Sequence, residues 1–359
     1  MKQGAFTYKW SLYSAGHADL DITKVVPKED MVRNRDRDNT WLLGDSGGFQ
    51  IGKGVWEGDW KDPNCPKAQK KRDGVLKWMD AFMDYGMILD IPAWVSRSPE
   101  GAKASNISSY QEAVDGTAYN NEYFIKNRSG ECKFLNVLQG ENFAQADDWY
   151  SQMKKFCDPK QYPDAHFNGW AMGGQNMCDI ELALKRLVEL RHDGLLEEGK
   201  HDVMHFLGTS KLEWAVVLTA VQRAVRKYHN PSFNITYDCA SPFLCTANGQ
   251  FYTNWRLDHG GKWSYLMNVG PDDKAYKGAG VPFDDVVRQM YPDYISSPMS
   301  KGLSIDDICY YAPGDVSRMG TETKTSWDSF AYCLLMNHNV WQHIMSCLLY
   351  TSPSPRDRQ

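Results

Sequence analysis

The sequence has no apolar run near the roughly 18 residues needed to span a bilayer, no C-x-x-C pair, no internal repeat and no excess of positive charge. Each absence excludes something. Without a long apolar run, and with Met1-Lys2-Gln3 leading into a segment broken by Lys9 rather than into a signal-peptide core, the chain reads as soluble and cytoplasmic, with no membrane partner. Nine cysteines, an odd number without paired spacing, fit scattered thiols in a reducing compartment better than a disulfide framework. Forty basic residues against 45 acidic ones give a net charge of −5, which argues against a generic nucleic-acid coat or a polybasic membrane binder while leaving room for a local basic groove. No G-x-G-x-x-G opens a helix after the first apolar run, which removes the main sign of a dinucleotide fold.

What is present is a rhythm. At 359 residues, 42% hydrophobic and 13% aromatic, the chain can bury a large core as two domains or as one α/β barrel with insertions. Short apolar runs stop at Asp45, Asp90, Gln139, the Gly173-Gly174 pair, Gly208 and Asp238, each separated from the next by a helical stretch. After Asp73, the apolar positions Val75, Leu76, Met79, Phe82 and Met83 line one face, with Gly86 as the expected cap. Ile180, Leu184, Leu187 and Val188 repeat that spacing, and Ser210-Lys211-Leu212-Glu213 is a capping-box pattern opening a helix toward Tyr228. Alternation of this kind predicts a parallel sheet with crossover helices. Because the polar stops fall at the ends of different strands, a (β/α)8 TIM-type barrel, which gathers all its strand ends into one mouth, is favoured over an open doubly wound sheet. An N-terminal strand is expected around Phe6 to Tyr13, and later elements should complete the barrel. The expected layout is a single barrel domain over 1–345, of which 250–345 is irregular loops and a closing helix. The segment 346–359 departs from the pattern and reads as a non-native tail, like translated adapter sequence, or else as a natural Ser/Pro tail.

Three strand-end carboxylates, Asp45, Asp90 and Asp238, together with Gln139 point to glycosidic-bond chemistry. Cleaving such a bond builds positive charge on the sugar, so one carboxylate can capture that centre while another moves protons. Capping of the following helix is the competing role for any one of them. In Asp45-Ser46-Gly47-Gly48-Phe49-Gln50, paired glycines let backbone approach a ligand closely and the aromatic offers a stacking face for a planar base.

That hexapeptide resembles the signature of the tRNA-guanine transglycosylase (queuine tRNA-ribosyltransferase) superfamily. In the same order follow Leu89-Asp90, Val137-Leu138-Gln139-Gly140, Gly169-Trp170-Ala171-Met172-Gly173-Gly174, Phe206-Leu207-Gly208 and Tyr237-Asp238-Cys239, over roughly residues 40 to 245. The resemblance implies a (β/α)8 barrel in which Asp238 is the nucleophile that takes the sugar C1 and releases guanine. Asp45 would be the general acid/base, and Asp90 would accept hydrogen bonds from guanine N1 and its exocyclic amine. Gln139 and the Gly173-Gly174 backbone would serve the O6 and N7 side, with Phe49 and Leu207 sandwiching the ring or serving as mouth-lining core.

Two departures bear on the substrate. The tRNA enzymes carry a zinc site of three closely spaced cysteines and a histidine, whereas only Cys309 and His338 remain here, too few for a closed tetrahedral site, so no cofactor or metal is expected. After the nucleophile stands Cys239-Ala240-Ser241-Pro242-Phe243, without the arginine of the tRNA enzymes. Both look like the DNA-modifying branch, the deoxypurine-in-DNA protein A group, whose members exchange guanine in DNA for a 7-deazaguanine such as 7-cyano-7-deazaguanine. The implied partners are DNA and a free 7-deazaguanine base in a bacterial or phage-infected cell, with accessory proteins for DNA opening compatible with that reading. A tRNA enzyme, or a nucleic-acid-binding protein without catalysis, are the alternatives. Lys67, Lys70, Lys71 and Arg72, with Lys53 and Lys61 nearby, are candidates for a DNA-backbone contact or for a solvated face, and Trp56, Trp60 and Trp94 for a wedge that helps extrude a base.

Overall fold

The computed structural model describes residues 6, 8–257, 263–270, 278–308, 310–311, 326–327 and 329–351. The chain divides into two compact units. One comprises Tyr8–Thr209 and Gln222–Asp238; the other comprises Ser210–Val221 and the chain from Cys239 onward, with the first few residues.

The first unit holds a seven-stranded, all-parallel sheet in sequential order, made of β1 (Trp10–Ser14), β2 (Trp41–Asp45), β3 (Tyr85–Met87), β4 (Lys133–Leu138), β5 (Gly169–Met172), β6 (Val203–Phe206) and β7 (Asn234–Tyr237). Each apolar run that stops at a polar or glycine position is one of these strands. Parallel neighbours need long crossovers, and the connections carry helices including Pro66–Phe82, Tyr110–Asn127, Phe143–Met153 and Ile180–His192. Buried indoles anchor the layers: Trp149 Nε1 donates to the Val137 carbonyl at 3.0 Å and Trp170 Nε1 to the Leu195 carbonyl at 2.9 Å.

The sheet curls. In a flat sheet β2 and β7, five strands apart, would lie about 24 Å from each other. Yet the charge of Asp238 after β7 acts on Asp45 at the end of β2, and at the opposite end of the strands that of Asp202, before β6, acts on Tyr85 of β3. Such coupling requires strand ends brought across an arc, as in a TIM-like α/β fold. The expected closed eight-stranded barrel is not what is observed among the described residues. Here β1 and β7 are the sheet edges, and the strand expected to complete the barrel, β8 (Gln250–Leu257), pairs antiparallel with β9 (Trp263–Val269) in the other unit.

Two helix expectations are corrected. The helix expected after Asp73 begins at Pro66 and ends at Phe82, and Gly86 lies inside β3, where Met79 packs against it, rather than at a helix cap. In Ile180–His192 the buried face is Leu182, Ala183, Arg186, Leu187 and Leu190, while Ile180, Leu184 and Val188 are exposed. That helix has two apolar stripes, and only packing decides which of them meets the sheet.

The second unit contains the helix Ser241–Ala247, the β8–β9 hairpin, the helix Phe283–Met290 and a long helix, Ser329–Thr351, which runs past residue 345, where the barrel domain was expected to end, into the segment read as a tail. Its core gathers Phe251, Phe283, Val286, Val287, Tyr294, Ile305, Ile308, Ala331 and Leu335. Among the described residues, no helix is long and apolar enough to cross a membrane.

The loop that carries Asp90 is fastened from the helix side. Asn120 Nδ2 donates to the Leu89 carbonyl at 2.7 Å, and the Ile91 amide donates to Thr117 Oγ1 at 2.9 Å. Asn120 in turn accepts from Arg72 Nε at 2.6 Å. Arg72 is fully buried among Trp60, Tyr119 and Tyr123, whose rings lie 4.6 to 5.9 Å from its guanidinium carbon, and neither Nη atom has a hydrogen-bond partner among the described residues. Replacing Asn120 by Ala removes the side-chain acceptor of a buried cation, so urea unfolding should show a loss of about 3 kcal/mol. A loss below about 0.5 kcal/mol would contradict this account of Arg72.

Candidate active site

Strand register places the acidic residues. Ser14 of β1 is paired with Asp45 of β2, so both side chains share a face, and the Ser14 hydroxyl donates to the Asp45 carboxylate. Gly47 adds its amide at 3.2 Å from Asp45 Oδ1. Gly47 has a φ of +77°, which a glycine adopts at no steric cost, and its turn starts the helix Gly48–Gly52. A Cβ on Gly48 would lie 2.5 Å from the Asp90 carbonyl oxygen and 2.9 Å from Asp90 Oδ1, so the paired glycines here allow close approach of this loop to Asp90.

Asp90 and Gln139 form a buried pair, with Gln139 Nε2 donating to Asp90 Oδ2 at 2.8 Å. Burial raises the Asp90 carboxyl to about 7; the Gln139 hydrogen bond works against that rise and the charge of Asp45 adds to it. Gly173 stands beside Gln139, because a Cβ there would fall 2.9 Å from Gln139 Nε2. The Gly173 amide, however, is committed to the Leu138 carbonyl at 2.8 Å. Of the two backbone donors expected from the glycine pair, the one without an acceptor among the described residues is Gly174.

The strongest cluster lies at β6 and β7. His205 Nε2 is 3.1 Å from Asp238 Oδ1, His205 Nδ1 is 2.9 Å from Thr236 Oγ1, and the Gly208 amide donates to Asp238 Oδ1 at 3.0 Å. Burial opposes the charge on Asp238, but the hydrogen bond and charge of His205 and the Gly208 amide outweigh it and hold the carboxyl below the ordinary range. Asp45 moves the other way. Burial lifts its carboxyl, the Ser14 and Gly47 hydrogen bonds oppose the lift, and the charge of Asp238 adds to it. Two interacting carboxylates are thus pushed apart in acidity, one toward the anion and one toward the acid.

The structure therefore brings Asp45, Asp90, Gln139, Gly173 and Asp238 into one connected set through hydrogen bonds, close approach or charge coupling. Phe49 sits next to Gly48, is 57% exposed, and meets Trp94 edge-on at 5.7 Å with Lys53 Nζ 5.3 Å from its ring. Leu207 follows β6, its amide donating to the Met172 carbonyl at 3.1 Å and its side chain half-buried. The residue that sequence reading missed is His205, with its partner Thr236. Its only signal is a histidine within an apolar strand, Val203–Phe206, and its partners stand about thirty residues away.

Burial removes Arg72, Trp56 and Trp60 from the surface roles expected of them. Arg72 is buried, Lys67 pairs with Glu57 and Lys61 with Glu112, each at 3.3 Å, and Lys71 lies over the Trp56 ring at 4.8 Å. Trp56 and Trp60 are buried core residues rather than exposed wedges, whereas Trp94 is half-buried beside Phe49. His338 does not fit a metal-ligand role as it stands, since Nδ1 meets Ser297 Oγ and Nε2 the Tyr252 carbonyl, both at 2.8 Å. Cys309 lies outside the described residues. Among the described residues, no group of three or more His, Cys, Asp or Glu is placed to hold a metal. No protein-family model matches the chain, and no curated protein matches it.

Because the folded protein binds a proton on Asp90 up to about pH 7 and the unfolded chain releases it near the ordinary carboxylate value, stability should fall as pH rises through that window. Asp90→Asn removes the titration. Thermal scans should show variant and wild type melting closest near pH 4, and the variant melting progressively higher as pH rises to 8. Equal melting temperatures at both pH values would contradict the buried, acid-retaining state of Asp90.

Proposed function

We propose that this chain is a base-exchanging transglycosylase that replaces guanine in DNA by a 7-deazaguanine through a covalent glycosyl-aspartate. The observation that carries the reading is the opposed environment of the two coupled carboxylates. Asp238, held as an anion by His205 and Gly208, suits a nucleophile; Asp45, held toward its protonated form, suits the acid that serves the leaving base.

The proposed chemistry balances in two displacements. A carboxylate oxygen of Asp238 attacks the sugar C1′, the C1′–N9 bond breaks, its electron pair goes to the guanine nitrogen, and the proton on Asp45 neutralises the base. The incoming 7-deazaguanine then gives its N9 proton to the Asp45 carboxylate and attacks C1′, and the bond to Asp238 breaks with its electron pair returning to the carboxylate. Two inversions retain configuration, and no redox partner or cofactor is consumed.

Base recognition is assigned to the Asp90–Gln139 pair, whose carboxylate would accept from N1 and the exocyclic amine of guanine, a donor pair that adenine lacks. Acting in this way requires the charged form, so guanine binding should weaken as pH falls through about 7. Gln139 and the Gly174 amide would donate on the O6 and N7 side, and Phe49 beside Trp94 would stack on the base, with Leu207 on its other face. In favour of DNA over tRNA stand Cys239-Ala240-Ser241-Pro242-Phe243 after the nucleophile and the occupied ring nitrogens of His338. The target base must be extruded from the duplex to reach such a site.

Incubation with duplex DNA and with tRNA, each with a radiolabelled 7-deazaguanine, tests the assignment. Label should enter DNA with wild type, be lost with Asp238→Ala, and enter less selectively with Asp90→Ala. Label in tRNA alone would move the reading to the tRNA enzyme, and exchange undiminished in Asp238→Ala would remove the nucleophile.

A further inference from the structure

His205, we infer, is a positioning residue that fixes which oxygen of Asp238 reacts, and this rests on the glycosyl-aspartate reading above. In the parallel pairing of β6 and β7, His205 is directly opposite Thr236, so both side chains project to one face, and Asp238 follows two residues after Thr236 on that same face. The neighbour of His205 on the other side is Ala171 of β5, a small residue in the same row.

The proton on the ring is assigned by its surroundings. Nε2 faces a carboxylate oxygen at 3.1 Å, which has no hydrogen to give, so Nε2 carries the N–H and donates. Nδ1 meets the Thr236 hydroxyl at 2.9 Å, and a hydroxyl can donate to a bare nitrogen or accept from a protonated one. Thr236 thus holds the ring plane in either state, while the donor to Asp238 stays in place.

Besides its own backbone amide, Asp238 takes two donors from other residues, the His205 ring and the Gly208 amide, and both converge on Oδ1. Oδ2 receives neither, so it is the oxygen left to form the bond to the sugar. With its side chain 2% exposed against 31% for Asp238, His205 is too enclosed to touch a substrate itself, which separates it from a general base. The charged or titratable groups that face Asp238 are His205 from β6 and Asp45 from β2. Removing the ring donor leaves Asp238 facing burial and Asp45 with only backbone amides, those of Gly208 and of Asp238 itself, to favour its charge, so it ionises at higher pH.

The test compares His205→Phe, which keeps the volume and loses the donor, with His205→Gln, whose amide can donate from a similar position, and with Thr236→Val. Asp238 carboxyl 13C shifts, followed by NMR titration without substrate, should move to higher pH by a unit or more in His205→Phe and return toward wild type in His205→Gln. With DNA, His205→Phe should form the covalent adduct about 100-fold more slowly, with the acid limb of its rate profile at higher pH and affinity for free guanine within a factor of about two. Thr236→Val, which frees the ring to turn, should fall between His205→Phe and wild type. An unchanged titration and adduct rate in a folded His205→Phe, or in Thr236→Val where His205→Phe does not fold, would overturn the positioning role while leaving the nucleophile assignment intact. A shifted titration with exchange undiminished in Asp238→Ala would keep the positioning and overturn the glycosyl-aspartate reading beneath it.

Discussion

Two like-charged carboxyl groups that share a partly desolvated space cannot both ionise freely, and the candidate site is organised around that constraint. Asp45 and Asp238 belong to strands five positions apart in the sheet, and curling brings them within range of each other's charge. The conflict is resolved asymmetrically. Asp238 receives an imidazole N–H and a backbone amide on one oxygen, whereas Asp45 has a hydroxyl and a single amide against stronger burial. In the proposed reaction this asymmetry is the division of labour between nucleophile and acid. Asp90 extends the same logic, because its proximity to Asp45 adds to its own burial and leaves it poised near neutrality.

The supports reach well beyond these groups. Arg72 holds Asn120, Asn120 holds the Leu89 carbonyl, and Thr117 holds the Ile91 amide, so the residues on both sides of Asp90 are tied to the helix Tyr110–Asn127. From the other direction, Gly48 lets a second loop approach Asp90 where any side chain would collide with its carbonyl. In the proposed base-reading role Asp90 gains precision from such enclosure, at the expense of a raised pKa that links binding to pH.

Much of this was legible in the residues, and the rest was hidden for definable reasons. Six of the seven strands, β2 to β7, were readable because each apolar run ends in a polar or glycine stop, and Asp45, Asp90, Gln139 and Asp238 were readable as strand-end or loop residues for the same reason. His205 was hidden because its meaning comes from the β6–β7 register, which places Thr236 opposite it and Asp238 two residues on. Arg72 looked like part of a surface cluster with Lys67, Lys70 and Lys71; the aromatic rings that bury it, Tyr119 and Tyr123, come from a helix far along the chain. The face of Ile180–His192 was misjudged since two apolar stripes have equal periodicity. The region after 250 gave no alternation strong enough to show its hairpin, and that hairpin pairs with itself instead of supplying an eighth strand to the sheet.

In the proposed reaction charge is divided between two coupled carboxylates so that Asp238, and not Asp45, takes the sugar. Rapid denaturation of a mixture of protein and guanine-containing DNA, followed by peptide mass mapping, reads this directly. The account expects a sugar-linked DNA mass on the peptide bearing Asp238, absent in Asp238→Asn. A mass on the peptide bearing Asp45, or an adduct that persists in Asp238→Asn, would contradict it.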